Sequence, residues 1–389
     1  MQNKIFLTIF GEFYFVKNNF AQLINNIFRI FVIIKIKKYE AKNQKDFLQV
    51  TKNMFDKKIA VVGAGAWGTA LAIILSQKIP SHNNILLWCF EKETVDEIEM
   101  NRTNTDFLSD VDIPQNIIPV SDFSEIRNAD IIVNAVPTQF ISTVYSQINF
   151  SLENKIIVNA AKGIEKNTLK RISEIFNEKY GVKSENYAVI SGPSHAKEVA
   201  KGTPTAVLTA SANIELAKSI RELFSTKTFR VYSATDVIGC ELGGALKNVI
   251  AIAAGIVDGL KLGDNTKAAL ITRGLAEIAR LGIAIGANSH TFSGLSGLGD
   301  LIVTCDSEQS RNRKVGELIA KGMSLQEIKP LNKSVAEGID TTEATTQLAE
   351  KMKIEMPITE QIYDILYKNV NLKECINNLM ERANKDEIW

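Results

Sequence analysis

Ile59-Ala60-Val61-Val62-Gly63-Ala64-Gly65-Ala66-Trp67-Gly68-Thr69-Ala70-Leu71-Ala72-Ile73-Ile74-Leu75 is the stretch on which the fold of this chain turns. It reads as a short buried strand, then three glycines in G-x-G-x-x-G spacing, then an apolar helix-like run from Thr69 to Leu75. The glycine triplet alone is a weak signal, and the strand before it and helix after it make it specific. Each glycine then has its own duty: Gly63 for the tight turn, Gly65 so that a pyrophosphate can reach the backbone, Gly68 so that the helix packs close to the strand. The helix N-terminus offers free N–H groups and partial positive charge to that anion. The stretch predicts an α/β domain that binds a dinucleotide.

Downstream the alternating pattern continues. Ile85-Leu86-Leu87-Trp88 reads as the second strand, and the adenosine ribose belongs near its end, where a carboxylate favours NAD and an arginine favours the 2′-phosphate of NADP. The chain there reads Cys89-Phe90-Glu91-Lys92, so Glu91 is a candidate ribose acceptor, Lys92 or Arg102 a candidate for a phosphate, and the choice between NAD and NADP stays open. Further strands follow at 131–136, 155–159, 187–190, 206–208 and 229–232. Three of them run into unusual loops: Pro137-Thr138-Gln139, Ala160-Ala161-Lys162-Gly163 and Ser191-Gly192-Pro193-Ser194-His195-Ala196. Ligands of doubly wound sheets bind beyond the carboxyl ends of the strands, so these loops lie where nicotinamide and substrate would meet.

Beyond about Thr235 the strand pattern gives way to helical periodicity. Within Leu242 to Val257 every residue except Lys247 and Asn248 is apolar or glycine. An ammonium withdrawn from water is costly, and desolvation lowers a lysine pKa unless an anion compensates, so Lys247 suits proton transfer or anion binding. The bland alternative is a lysine snorkelling from one helix face to the surface. Asp264-Asn265-Thr266 is expected to cap a helix running from Ala268 to Leu281, with Leu270, Ile271, Leu275, Ile278 and Ala279 on its apolar face. Ser293-Gly294-Leu295-Ser296-Gly297-Leu298-Gly299-Asp300 follows no strand and reads as a compact turn presenting Asp300. Soon after, Ser310-Arg311-Asn312 places a planar guanidinium between two neutral donors, a combination suited to phosphate.

At 389 residues the chain exceeds the roughly 250 to 300 at which a single core stops growing, so two domains are expected. Positive and negative side chains nearly cancel, and no long basic block marks a nucleic-acid partner. Cys89, Cys240, Cys305 and Cys375 are scattered without a Cys-x-x-Cys pair, which points to free thiols in a reducing, cytoplasmic compartment and to no metal site. Residues 1–53 differ from the rest: they are dense in Phe, Ile, Asn and Lys, and their apolar run from Ile27 to Ile36 is too short and too interrupted by Arg29 and Lys35 to span a bilayer. They read as an extension outside the core, with Met54 as the natural start.

Six motifs, in order, now carry a specific resemblance: the glycine loop with Trp67, Ala161-Lys162-Gly163-Ile164-Glu165, Ser191-Gly192-Pro193-Ser194, Glu241-Leu242-Gly243-Gly244-Ala245-Leu246-Lys247-Asn248, Gly297-Leu298-Gly299-Asp300-Leu301 and Arg311-Asn312-Arg313-Lys314. From about Lys58 nearly to its end the chain resembles bacterial-type NAD(P)-dependent glycerol-3-phosphate dehydrogenases. The resemblance implies a Rossmann-like NAD(P)-binding domain at 54–236, an all-helical substrate domain at 237–389, and interconversion of dihydroxyacetone phosphate with sn-glycerol 3-phosphate for glycerophospholipid synthesis. It implies Lys247 as catalytic acid and base, with Lys162, Gly192, Ser194, Asp300, Ser310, Arg311 and Asn312 also on the substrate and Asn248 helping to orient the reacting oxygen. Gly63, Gly65, Ala66, Trp67, Gly68, Lys162, Ala196, Arg311, Val335 and Glu337 match the family's cofactor-contacting positions. It further implies a homodimer with no stable membrane insertion.

Two features depart from the family pattern: Phe90 stands where many bacterial members place Arg or His, and the first 53 residues have no counterpart. Other Rossmann dehydrogenases with helical second domains, such as 3-hydroxyacid or 6-phosphogluconate enzymes, are the rival reading, and the Arg311-Asn312-Arg313-Lys314 run opposes it. A non-catalytic NAD(P)-binding redox sensor would have no need to keep Lys162, Lys247 and Arg311 together.

Overall fold

The computed structural model describes residues 54–80, 83–331, 336–384, 386 and 387. The readings of the first 53 residues and of Val335 therefore lie outside the described residues. Met54–Trp389 forms a compact unit by itself.

Eight strands make one sheet: β1 Ile59–Val62, β2 Ile85–Trp88, β3 Ile117–Val120, β4 Ile131–Asn134, β5 Ile156–Asn159, β6 Tyr187–Ser191, β7 Thr205–Ala210 and β8 Phe229–Ala234. Their order is β3-β2-β1-β4-β5-β6-β7-β8, and every neighbouring pair is parallel except β6 with β7. The first six strands thus follow the doubly wound dinucleotide-binding order. Both faces are covered, which is why the strands read as continuous apolar runs: in β1, Ile59 and Val61 enter one core while Ala60 and Val62 enter the other. β3 went unread in the sequence because Pro119 sits in it, paired opposite Leu87. The proline is tolerated because β3 is an edge strand.

The helices of this half include α1 Ala66–Ser76, α2 Lys92–Asn101, α3 Ile172–Tyr180 and α4 Ile214–Phe224, with shorter turns between them. α1 starts three residues earlier than the apolar run indicated, so Gly68 lies in its first turn. After β8 the chain becomes helical: α5 Val237–Gly259, α6 Asp264–Ala284, α7 Asp300–Asp306, α8 Arg311–Ala320, α9 Gly338–Met352, α10 Pro357–Lys368 and α11 Leu372–Met380. α5 is the axis of this half, buried almost without interruption from Gly239 to Val257. Among the described residues it is the helix long and apolar enough to cross a membrane, yet 89% of its apolar window is buried inside the fold, so core packing accounts for its composition.

Two local expectations are corrected. α6 begins at Asp264 rather than after it: Gly263, at φ 89°, is the N-cap and supplies no side-chain bond, while Asp264 lies in the first turn, where its charge favours the helix dipole. The turn before Asp300 is a π-helical one, Leu295–Gly299, closed by the Gly299 N–H donating to Gly294 O at 3.1 Å, and it feeds directly into α7. One close approach sets the architecture of the site. A Cβ on Gly255 would stand 1.9 Å from the Arg313 carbonyl oxygen, and one on Gly316 would stand 2.0 Å from that of Ile252. Only glycine lets α5 and α8 come this near, which brings the start of α8 against Asn248.

Candidate active site

The glycine loop has the form a pyrophosphate requires. Gly63 adopts φ 107°, and a Cβ on Gly68 would meet Gly63 O at 1.8 Å, but one on Gly65 would meet nothing within 4 Å. Open space therefore faces the backbone at Gly65. α1 has no acidic residue in its first turn and no side-chain cap, so its leading N–H groups are available to an anion. The loop is held from behind: buried Asn104 donates to Ala64 O at 2.8 Å and to Thr69 Oγ1 at 2.9 Å, and Trp67 Nε1 donates to Ala160 O at 3.1 Å. These residues fit a dinucleotide.

Two buried asparagines shape the neighbouring loops at the carboxyl ends of β4 and β5. Asn134 Nδ2 donates to Asn159 Oδ1 at 2.8 Å, and Asn159 Nδ2 donates to Ala161 O at 3.0 Å. With its carboxamide spent in this way, Asn159 fixes the loop that carries Lys162.

Lys162 and Lys247 converge on one carboxylate. Lys247 Nζ donates to Asp300 Oδ1 at 2.5 Å and to Thr304 Oγ1 at 2.7 Å; Lys162 Nζ donates to Asp300 Oδ2 at 2.5 Å and to Gly192 O at 3.2 Å. Asp300 is 1% exposed and Lys247 7%, so this is a charge cluster withdrawn from water and not a snorkelling lysine. Burial pulls the Lys247 ammonium down to about 8, opposed by the Asp300 carboxylate and reinforced by the Lys162 charge. Ser194 Oγ donates to the same Gly192 carbonyl at 2.9 Å, and Ala196 opens the short helical turn that follows.

The rim of the cleft is built by α8 and α9. Arg311 is exposed at the first position of α8 with no ion pair among the described residues, and its charge acts on Glu337. Ser310 caps that helix, its Oγ accepting from the Arg313 N–H at 3.2 Å. Asn312 has both ends of its carboxamide engaged: Nδ2 donates to Asn248 Oδ1 at 2.9 Å and Oδ1 accepts from the Gly338 N–H at 2.9 Å. It therefore locks α5, α8 and α9 together beside Lys247. Glu337 Oε1 accepts from the Thr138 N–H at 3.2 Å, linking the helical half to the β4 loop, and burial raises its carboxyl above the usual range. Among the described residues no cluster of three or more His, Cys, Asp or Glu side chains could hold a metal ion.

Several residues here carried no assigned role in the sequence reading. Thr304 donates to Asp300 O at 2.6 Å while accepting from Lys247; its spacing of four from Asp300 on one helix was the available signal. His195 has a buried Nε2 without a partner among the described residues, and its basicity is lowered by burial and by the Lys247 charge. Glu241 and Thr138 act across the halves of the molecule, which no local pattern reveals.

Comparison with known proteins places this arrangement. Residues 58–217 match the family described as NAD-dependent glycerol-3-phosphate dehydrogenase N-terminus, and residues 236–377 match the corresponding C-terminus family. Glycerol-3-phosphate dehydrogenase [NAD(P)+] of Oceanobacillus iheyensis is 48% identical over 85% of this chain and 96% of its own length; that of Fusobacterium nucleatum is 47% identical over 85% and 98%. The crystal structure of glycerol-3-phosphate dehydrogenase from Coxiella burnetii superposes with a TM-score of 0.78 at 38% identity, covering 84% of this chain and all of that one. With its glycine loop and paired lysines inside these matches, the chain belongs to the NAD-dependent glycerol-3-phosphate dehydrogenase family.

Proposed function

We propose that this cleft interconverts dihydroxyacetone phosphate and sn-glycerol 3-phosphate, with Lys247 as proton donor and acceptor. The observation that carries the reading is the single Asp300 carboxylate holding Lys162 and Lys247 at 2.5 Å each, at the carboxyl edge of a dinucleotide-binding sheet. When bound, the nicotinamide supplies the hydride. Lys247 Nζ gives its proton to the carbonyl oxygen of the triose phosphate as that oxygen gains charge, and takes it back in the oxidative direction. A pKa of about 8 suits both directions near neutrality. The ammonium also stabilises the developing alkoxide, an effect enlarged by its burial.

Lys162, Lys247 and Arg311 outnumber the Asp300 carboxylate that Lys162 and Lys247 share, which suits the site to a phosphate dianion. That dianion in turn favours protonated Lys247 against its desolvation. Gly192, Ser194, Ser310 and Asn312 complete the substrate pocket, with Asn248 held by Asn312 beside the reacting lysine. Gly63, Gly65, Ala66, Trp67 and Gly68 would hold the pyrophosphate end of NAD(P), and Lys162, Ala196, Arg311, Val335 and Glu337 the rest. Residues 54–236 then serve as the nucleotide domain and 237–389 as the substrate domain.

Oxidation of NADH or NADPH by purified protein with dihydroxyacetone phosphate tests the reading. Turnover is expected, and its absence with both cofactors would sink the assignment; an undiminished Lys247→Ala variant would sink the mechanism. The same reading makes the product a precursor of glycerophospholipids. A cytoplasmic location is supported by four buried free thiols. A homodimer formed through the helical half is supported by α6, whose Leu270, Ile271 and Leu275 are only half-buried and whose Ile283 is exposed. Light scattering of the eluted protein at twice the chain mass is the expected result.

A further inference from the structure

The end of β2 bears on which nicotinamide cofactor the site takes. β1 and β2 are parallel and in register, Val62 opposite Trp88, and the Gly63 N–H donates to Trp88 O at 3.1 Å. Cys89, Phe90 and Glu91 therefore leave the sheet alongside the glycine loop, where the adenosine ribose of a dinucleotide lies. Glu91 is the N-cap of α2, yet among the described residues its carboxylate makes no cap bond and no ion pair, and it is exposed. It is an acceptor with no donor among the described residues.

The arginine nearest in sequence that would answer a 2′-phosphate is spent elsewhere. Arg102 Nε donates to Ile113 O at 3.1 Å, and its Nη2 donates to Ile117 O at 2.8 Å and to Pro114 O. Its guanidinium is a brace for the segment before β3, committed to three backbone carbonyls. Lys92 is the cation left beside Glu91, and it stands between two carboxylates, Glu91 and Glu93. Asp122 and Glu125 add negative charge just beyond β3, the strand next to β2. Phe90, next to Glu91, is 69% exposed with its ring set edge-on to Trp88 at 6.3 Å, so the residue preceding Glu91 offers no charge to a phosphate.

We propose that this chain selects NAD(H) over NADP(H), with Glu91 accepting from the ribose 2′-hydroxyl and repelling a 2′-phosphate. The inference rests on the reading that the glycine loop holds a nicotinamide dinucleotide. A phosphate near pH 7 carries close to two charges, and a carboxylate within about 4 Å of it in a well-solvated site disfavours it by roughly tenfold to thirtyfold.

Calorimetric titration of the full chain with NADH and with NADPH, without substrate, measures this directly. The wild type is expected to bind NADH at least about tenfold more tightly. Glu91→Gln is expected to narrow the gap and Glu91→Arg to reverse it, with melting temperatures unchanged because the side chain holds no partner; Lys92→Ala is expected to leave the NADH constant unaltered. Equal or tighter binding of NADPH by the wild type overturns the proposal, and so does a Glu91→Arg variant whose ratio does not move. Binding of neither nucleotide overturns the proposed function instead, so the two failures are told apart.

Discussion

Glu241, on α5, and Asp300, packed against that helix, are both buried carboxylates, but they are satisfied in opposite ways. Glu241 accepts four hydrogen bonds: from Arg171 Nη1 at 2.9 Å, the Ser173 N–H at 2.8 Å, Ser173 Oγ at 2.6 Å and Tyr187 Oη at 2.6 Å. Its donors are anchored on α3 and β6, and the burial that pushes the Tyr187 phenol well above its usual range keeps that donor protonated. Asp300 instead takes two bonds, both from ammonium groups on long flexible stems. The first arrangement is closed and fixes where α5 sits. The second is open: either lysine can turn from Asp300 to a substrate oxygen without leaving a buried charge unpaired. Six residues of one helix, about 9 Å, separate the anchored end from the reactive one.

If that contrast is right, substitutions at the open end change chemistry and those at the closed end change stability. Lys247→Ala should give the largest effect, a fall in kcat of about a thousandfold, in the range lost with a general acid or base, with little change in denaturation midpoint. A variant whose midpoint collapses instead would put Lys247 with the structural group. Glu241→Ala should cost about 1 to 3 kcal/mol in urea unfolding, because it leaves the buried Tyr187 hydroxyl without its acceptor while Arg171 keeps Glu174. Its kcat should fall far less than that of Lys247→Ala once measured on folded protein, and a loss of activity without a loss of stability would break the comparison.

Arg311→Ala should raise KM roughly tenfold to a hundredfold with kcat nearly unchanged, since a phosphate contact is shared by ground and transition states. A fall in kcat at constant KM would move Arg311 into the chemical step. The smallest effect is a displacement along the pH axis. Reduction needs Lys247 protonated, so its kcat/KM should decline as pH rises through about 8, while oxidation, which needs the neutral amine, should climb over the same interval. Asp300 raises the Lys247 pKa, so Asp300→Asn should move that limb to lower pH, and Lys162 lowers it, so removing the Lys162 charge should move the limb the other way. An unmoved limb in the Asp300 variant would mean that another group titrates.

Much of the fold was legible because its signals are local. A strand of Ile59 to Val62 followed by Gly63, Gly65 and Gly68 specifies its own turn and helix entry over a dozen residues. β3 escaped because Pro119 argues against a strand unless the strand is known to lie at an edge, and edge position is a property of the assembled sheet. The start of α6 was misplaced because Asp264 is as good a first-turn residue as a cap, and only the backbone of Gly263 distinguishes the two. In the site, Lys247 stood out through the apolar sequence around it. The part Asn312 plays in joining the helices did not, because its partners Asn248 and the Gly338 N–H lie 64 and 26 residues away.

Amino-acid order alone was enough for the βα unit, for the change to helical periodicity after Thr235, and for singling out Lys247 as a lysine suited to proton transfer or anion binding, since each of these follows from neighbours along the chain. Which partner it has was a matter of folding: Asp300 lies 53 residues from Lys247 and 138 from Lys162. Glycine contacts between α5 and α8, the π-helical turn before α7 and the asparagine pair beneath the β5 loop bring those three side chains within hydrogen-bonding distance. Charges so distant in sequence couple only when packing excludes the water that would otherwise screen them.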